Sequence, residues 1–138
     1  MLLYRPIGLR ELELIAGSGW TRFPPRLGHK PIFYPVLSFE YAVQIARDWN
    51  TTDEISGFAG FVAEFDIEEP CVAKYERHTV GGSVHQELWI PAIELDQFNK
   101  AIHGTIRITA RFYGPRFNGE VDQTTGLPRS VGSRLFAN

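Results

Sequence analysis

A glutamate within an apolar segment is the first candidate for chemistry in this sequence. The segment spans residues 83–92 and reads SVHQELWIPA. Because side chains alternate between the two faces of a strand, Leu88 and Ile90 share one face with Gln86. The opposite face carries the side chains of His85, Glu87 and Trp89. If Leu88 and Ile90 face the core, Glu87 faces a surface or cleft beside an imidazole and an indole, where a carboxylate can stabilise positive charge.

Two further short strands each place one polar side chain among aliphatic neighbours. Arg5 does so in the segment 2–7, and Tyr34 does so in the segment 31–36. An arginine on an apolar face needs a charged partner, or a position at the strand end from which its head reaches a cleft. Together with Glu87, these residues predict a cleft crossed by three strands. The alternative is structural: Arg5 and Glu87 form an ion pair, and Tyr34 packs in the core with its hydroxyl at the rim.

The elements that would carry these residues follow from the spacing of the apolar positions. Alternation and short apolar runs predict strands at 2–7, 31–36, 58–68, 72–80, 84–90 and 105–114. Helical spacing predicts helices within 9–19, 39–50 and 92–102. Regular alternation of strands and helices stops halfway along the chain, and this pattern indicates an α+β fold. We expect a domain at 1–114, with 115–138 as a loosely attached C-terminal tail or an extension of the same domain.

Several positions in these elements are assigned to a cap, to the core or to solvent. Ser38 is the expected N-cap of the second helix, and Phe39 and Trp49 are expected in the buried stripe of that helix. Glu11 is expected on a solvated helix face. Alternation along 105–114 predicts one face made of Ile106, Ile108, Ala110 and Phe112. The other face of that strand would carry Thr105, Arg107, Thr109, Arg111 and Tyr113.

Composition narrows the class of protein. A chain of 138 residues suits one domain, and 43% hydrophobic residues are enough to bury a core. The net charge of −2 gives no hint of a nucleic-acid or membrane surface. Cys71 is the single cysteine, which excludes an intrachain disulfide, and no Cys/His cluster has zinc spacing, so we expect no metal. The N-terminus lacks a signal-peptide pattern, and no apolar run approaches the roughly 20 residues that span a bilayer. A cytoplasmic setting is therefore expected, with export by a route that needs no such signal left open.

Longer strings in the sequence carry a family resemblance. LYRP, ELELI, PIFYPV, YAVQIARDWN and ELWIPA resemble strings of small bacterial proteins labelled "ADP-ribosylation/crystallin J1". Arg5, Tyr34 and Glu87, in that order, resemble the three-residue pattern of the ADP-ribosyltransferase superfamily, whose members use NAD. There a first strand carries Arg or His, a middle strand carries Tyr, Ser or Thr, and a late strand carries Glu. The resemblance covers residues 3 to 114 and implies an ADP-ribosyltransferase-like split core of mixed and antiparallel sheets with short flanking helices.

The resemblance also implies a role for each matching position. Glu87 would be the catalytic carboxylate, and Arg5 would hold NAD through its phosphates or its nicotinamide ribose. Tyr34 would lie against the nicotinamide ring. Breaking the bond between ribose and nicotinamide generates an oxocarbenium-like centre, which Glu87 would stabilise. The backbone around Tyr4 and Pro6 would meet the nicotinamide amide, and Phe33 is the register alternative to Tyr34. Tyr41 would add a second aromatic wall, and Ser38 and His85 are the further residues implied around the dinucleotide.

The expected activity is mono-ADP-ribosyl transfer or NAD hydrolysis, with NAD as the substrate. His85 stands two residues before Glu87, where arginine-directed relatives carry a second Glu and asparagine- or cysteine-directed relatives often carry Gln. The acceptor therefore stays open among a protein side chain, a nucleic acid end, a small molecule and water. The alternative is a module with the same fold that binds NAD or ADP-ribose without catalysis, or that is purely structural. The sequence leaves the oligomeric state open.

Overall fold

The computed structural model describes residues 1–26, 28 and 30–132. The strands in this part of the chain are β1 (Leu2–Ile7), β2 (Ile32–Phe33), β3 (Ala59–Ile67), β4 (Arg77–Thr79), β5 (Gln86–Leu88), β6 (Ile90–Pro91) and β7 (Ile102–Tyr113). The α-helices are α1 (Leu9–Gly17), α2 (Phe39–Asp48), α3 (Glu69–Val72), α4 (Leu95–Lys100) and α5 (Arg129–Gly132). The paired strands are antiparallel, so helices and small antiparallel sheets form the mixed arrangement that an α+β class predicts.

The strands that position the site lie side by side in one row. β1, β3 and β7 pair in the order β1-β3-β7. On the other side of β1, the backbone of Tyr4 exchanges two hydrogen bonds with that of Val36, at 3.0 and 2.7 Å. Val36 bridges in turn to Glu87 in β5, and β5 pairs with β4. The strand row therefore runs from β7 through β3, β1, residues 35–37 (the Val36 segment) and β5 to β4. Strand β2 pairs separately with β6.

Apolar side chains cover both faces of this strand row. The face that we call the main core face buries a large cluster with α1 and α4, and it is rich in phenylalanine. Its largest buried side chains include Phe23, Phe33, Phe61, Phe65 and Phe98. The opposite face, which we call the α2 face, buries a smaller cluster made of Val36, Ala42, Ala46 and Val62. Burial of these aromatic and aliphatic side chains is the main favourable contribution to folding.

Helix α2 begins where the sequence predicts, but its buried stripe is narrower than predicted. Ser38 Oγ accepts a backbone N–H from the first turn at 3.0 Å, which confirms Ser38 as the N-cap. The expectation that Phe39 and Trp49 are core residues is wrong, because they are 43% and 57% exposed. Contact with the sheet is made by Ala42 and Ala46, which are fully buried. These small side chains bring the helix close to the strands and leave both ends of the predicted stripe in solvent.

Strand β7 does not keep the predicted alternation. Val62 of β3 pairs with Ala110, whereas the next residue, Ala63, pairs with Ile108, so β7 holds one extra residue at this point. Such a bulge reverses which side chains face each side of the sheet. Ala110 and Phe112 therefore pack on the α2 face, and Ile108 packs on the main core face. The prediction that these residues share one face is wrong.

Residues 115–132 form an extension of the domain. Leu127 and Val131 are 5% and 0% exposed and belong to the main core. The Tyr113 hydroxyl donates to the carbonyl of Gly126 at 2.6 Å, and α5 packs against α1. The expectation of a loosely attached tail is wrong for this part, because its apolar side chains complete the core. The remainder, 133–138, lies outside the described residues.

Three predicted strands are shorter than expected. The segment 31–36 keeps a ladder only in β2, because Pro35 has no N–H to donate. The segment 84–90 divides into β5 and β6, with Trp89 between them. The segment 72–80 pairs only in β4. Its first residue, Val72, is the last residue of α3, and a proline occupies the first turn of that helix.

Candidate functional site

Glu87 and Tyr34 project from the α2 face of the strand row. Residues paired directly across antiparallel strands project from the same face. Tyr4, Val36 and Glu87 form one such cross-strand row. Alternation adds Tyr34, two residues before Val36, and Trp89, two residues after Glu87. The structure thus brings together two of the three residues expected to carry the chemistry.

Two side-chain donors hold the half-buried Glu87 carboxylate. Trp89 Nε1 donates to Glu87 Oε1 at 2.8 Å, and the Tyr41 hydroxyl donates to Oε2 at 3.2 Å. Burial raises the pKa of Tyr41, and the negative charge of Glu87 and this hydrogen bond act in the same direction. The phenol therefore stays protonated at neutral pH and remains a donor. Each carboxylate oxygen still has lone-pair capacity for a ligand hydroxyl.

Aromatic rings border the carboxylate on its exposed side. Tyr34 and Trp89 meet edge to face with their ring centroids 6.3 Å apart, and they are 39% and 44% exposed. His78 from β4 stacks on Trp89 at 3.8 Å. We call the surface formed by Tyr34, Tyr41, Glu87 and Trp89 the Glu87 site. Its exposed rings can pack against a flat ligand ring, and its carboxylate can accept hydrogen bonds from the same ligand.

His85 supports Tyr41 from within the protein. The two rings pack with their centroids 4.6 Å apart. The backbone N–H of Gly82 donates to His85 Nδ1 at 3.2 Å, so the neutral ring carries its proton on Nε2. Nε2 then donates to Gln44 Oε1 at 2.8 Å. Both ring nitrogens are engaged by these contacts, and His85 orients the second aromatic wall of the site.

Arg5 lies on the main core face, opposite to Glu87. Its Nε and Nη2 donate to the two carboxylate oxygens of Glu11 at 2.6 and 3.0 Å. Its Nη1 donates to the carbonyl of Tyr34 at 3.3 Å, and the guanidinium lies 4.5 Å from the ring centroid of Phe33. Arg5 is only 7% exposed. The expectation that Arg5, Tyr34 and Glu87 share one cleft is therefore wrong. The structural alternative of an Arg5–Glu87 ion pair is also wrong, and so is the solvated position expected for Glu11.

Four other residues implied around the dinucleotide are engaged in the fold. Phe33 is 0% exposed in the main core, so it does not replace Tyr34 at the surface. The N–H and carbonyl of Tyr4 pair with the neighbouring segment, and Pro6 has no N–H to offer a ligand. Ser38 caps α2 and also donates to a carbonyl in the loop before β5 at 3.0 Å. The backbone expected to meet the nicotinamide amide thus already pairs at Tyr4.

Several contacts of the site were not predicted from the sequence. Glu11 had a signal: it is the first carboxylate along the chain after an arginine that needs a partner on an apolar face. Trp89 was placed beside Glu87 by alternation, but its hydrogen bond was not predicted. Gln44 and His78 carry no sequence signal, because their contacts depend on how α2 and β4 lie against β5.

Two cavities within the described part of the chain lie away from the Glu87 site. One, of about 320 Å³, lies between Trp20, Leu127 and side chains of β7, and the other, of about 300 Å³, lies between Arg22 and Lys100. A ligand of the Glu87 site would lie against its exposed rings rather than in either cavity. Among the residues described, no group of three or more His, Cys, Asp and Glu could hold a metal ion. Within the same residues, no helix has both the length and the apolar character needed to cross a membrane.

The chain matches no protein-family model, no curated protein and no solved structure. The fold and the site define it as a mixed α and β protein with small antiparallel sheets and a carboxylate framed by aromatic rings at the surface. Its function therefore has to be argued from the chemistry of that site.

Proposed function

We propose that the Glu87 site binds the nicotinamide end of NAD and promotes cleavage of the bond between nicotinamide and ribose. The observation that carries this proposal is the Glu87 carboxylate, which two side-chain donors hold beside the exposed rings of Tyr34 and Trp89. The adjacency of β1, the Val36 segment and β5 supports the ADP-ribosyltransferase-like arrangement that the sequence resemblance implies.

Glu87 supplies the negative charge that this reaction needs. Nicotinamide leaves with the electron pair of the broken bond, and positive charge develops at C1′ of the ribose. A carboxylate that accepts a hydrogen bond from the 2′-hydroxyl stabilises this charge as it forms. Trp89 and Tyr41 orient the carboxylate in advance, so little reorganisation is needed in the transition state. The ring of Tyr34 offers an apolar surface to the nicotinamide.

Arg5 acts in this proposal as a positioning residue. Glu11 neutralises its guanidinium, which also binds the carbonyl of Tyr34 and so fixes the backbone that carries the Tyr34 ring. The acceptor of the ADP-ribosyl group is a protein side chain, a nucleic acid end, a small molecule or water. With water, a hydroxyl group forms at C1′ and the attacking water releases a proton, so NAD hydrolysis can be measured without any added acceptor.

One observation favours a second candidate function, a module that binds NAD or ADP-ribose without cleaving it. The arginine that the resemblance assigns to NAD is held in an ion pair with Glu11 on the face opposite to Glu87. A protein that keeps the aromatic surface and lacks this cation at the reacting centre would retain a ligand without accelerating its reaction.

Glu87→Gln is the test of the catalytic role. We expect the variant to keep NAD binding. We expect its rate of nicotinamide release to fall by about 10²-fold or more, because the neutral amide no longer stabilises the developing charge. Nicotinamide release and the NAD-induced shift of the melting temperature are measured on both proteins. Glu94→Gln is the matched control, because Glu94 also accepts a tyrosine hydroxyl, from Tyr75 at 2.7 Å, outside the site.

The outcomes separate the two candidates. Nicotinamide release by the parent and by Glu94→Gln, but not by Glu87→Gln, supports the catalytic proposal. Stabilisation of the parent by NAD without nicotinamide release supports the binding module. Equal release by the parent and by Glu87→Gln would refute the catalytic assignment of Glu87.

A further inference from the structure

Arg5 and Arg26 lie along the same edge of the extended segment that contains Ile32 and Tyr34. Arg26 Nε donates to the carbonyl of Ile32 at 3.2 Å, and Arg5 Nη1 donates to the carbonyl of Tyr34 at 3.3 Å. Carbonyls two residues apart in an extended segment point toward the same edge. The other edge of this segment pairs with β6. The guanidinium groups therefore line the edge that faces away from β6.

The charges along this edge are unequal. Glu11 gives both carboxylate oxygens to Arg5 in a close ion pair. Arg26 is half-buried, and its pKa is lowered first by burial and then by the positive charge of Arg5, while Glu11 and Tyr34 act in the opposite direction. These four groups are close enough to interact, and they bring two guanidinium charges together with one carboxylate. Within the described part of the chain, the positive charges of this group outnumber its carboxylates by one. A partly desolvated arginine in such surroundings attracts an anion.

Arg26 also has donors to offer. Within the described part of the chain, its hydrogen bond to Ile32 uses one of the five N–H groups of the guanidinium. The terminal nitrogens form a planar fork that matches two phosphate oxygens. We infer that Arg26 binds a phosphate group of the dinucleotide whose nicotinamide lies at the Glu87 site.

This inference rests on the proposed function, and Tyr34 is the structural link between the two positions. The carbonyl of Tyr34 binds Arg5 next to Arg26, and the ring of Tyr34 contacts Trp89 next to Glu87. A dinucleotide that packs its nicotinamide on these rings would extend its phosphates past Tyr34 toward Arg26. The resemblance gives the role of phosphate binding to Arg5. In this inference Arg26 has that role instead, because Glu11 accepts hydrogen bonds from the guanidinium of Arg5.

Calorimetric titration of the whole chain tests the inference with three probes. Inorganic pyrophosphate and ADP-ribose carry the phosphates, whereas nicotinamide riboside lacks them. We expect Arg26→Gln to weaken pyrophosphate and ADP-ribose binding on the order of tenfold to a hundredfold, as loss of a charged hydrogen-bond pair does, and to leave nicotinamide riboside binding unchanged. Arg22→Gln is the control. Arg22 is exposed on the same loop, and its substitution removes the same charge as Arg26→Gln.

Three results would overturn the inference. They are equal ADP-ribose affinity in Arg26→Gln and the parent, an equal loss in Arg22→Gln, and a parent that binds neither pyrophosphate nor ADP-ribose. If Arg26→Gln does not fold, as judged by near-ultraviolet circular dichroism, Arg26→Lys decides. That variant keeps the charge but not the planar fork, and we expect intermediate weakening of pyrophosphate and ADP-ribose binding. Unchanged affinity in Arg26→Lys would then count against the inference.

The same data distinguish failure of this inference from failure of the proposed function. Pyrophosphate binding that needs Arg26 in a protein that releases no nicotinamide would leave the phosphate position standing without the catalytic proposal. Nicotinamide release that needs Glu87, with a KM for NAD unchanged in Arg26→Gln, would leave the catalytic proposal standing without the phosphate position.

Discussion

The Arg5–Glu11 pair gives the sharpest test of how this fold is held together. Arg5 has 9% of its side chain exposed, Glu11 has 20%, and two hydrogen bonds join them at 2.6 and 3.0 Å. Arg5→Met keeps most of the side-chain length and leaves the Glu11 carboxylate without its partner. Glu11→Leu leaves the guanidinium unpaired. Each single substitution therefore strands one charge in a largely buried position, whereas the double substitution removes both charges.

The magnitude follows from the burial of the two groups. Removal of one partner of a buried ion pair costs about 3–5 kcal/mol. We expect about 3 kcal/mol for Arg5→Met, the low end of that range, because water reaches part of the Glu11 side chain. In a chain of this length that loss corresponds to a fall in melting temperature of about 12 °C. The double variant should recover to within about 1 kcal/mol of the parent, because two apolar side chains replace two charges.

Urea unfolding of the parent, both single variants and the double variant measures the coupling energy between the two positions. Arg10→Met is the control on the same helix: its side chain is 73% exposed and lies 3.8 Å from Glu13. We expect this control to change the free energy of unfolding by less than about 0.5 kcal/mol. Additive effects of Arg5→Met and Glu11→Leu, each under about 1 kcal/mol, would refute the argument that Arg5 is chiefly a structural and positioning residue.

Two further predictions concern the C-terminal extension and Tyr113, the β7 residue whose hydroxyl binds it. Leu127→Ala should lower the free energy of unfolding by about 3 kcal/mol, because it opens a cavity in the main core. If urea unfolding shows that this free energy falls by less than about 1 kcal/mol, the burial of this segment is contradicted. Burial raises the pKa of Tyr113 from 10.0 to about 12, so between these values the folded chain retains a proton that the unfolded chain loses. Stability therefore falls as the pH rises through this range, and Tyr113→Phe should make the fall shallower; an unchanged slope would contradict the assignment.

Local patterns in the sequence account for much of the site. Alternation alone assigns Arg5 to the face of its aliphatic neighbours, and it assigns Glu87 and Trp89 to the face opposite Leu88. The first assignment holds because Arg5 is buried together with Leu3 and Ile7. The second holds because Leu88 is fully buried and Trp89 binds Glu87. The N-cap of α2 was also predictable from a local pattern, because the Ser38 side chain needs only a backbone N–H in the first turn of its own helix to form the cap.

The pairing of distant segments was not available from these patterns. Whether Arg5 and Glu87 meet depends on the register of Tyr4 with Val36 and of Val36 with Glu87. That register puts Glu87 on the same face as Tyr4, and so on the face opposite to Arg5. The expected cleft assumed one shared hollow for all three polar side chains. The structure joins Tyr34 to Glu87 through Trp89, and joins Arg5 to Glu11 behind them.

The sequence by itself determined the sides of β1 and β5 on which Arg5 and Glu87 stand, and the start of α2. These features depend on the periods of strand and helix and on contacts within a few residues. Only the tertiary structure decided which partner each polar residue meets, where β7 holds its extra residue, and that the C-terminal extension completes the core. Such contacts join positions far apart in the chain, and a shift of one residue in pairing reverses the faces that meet.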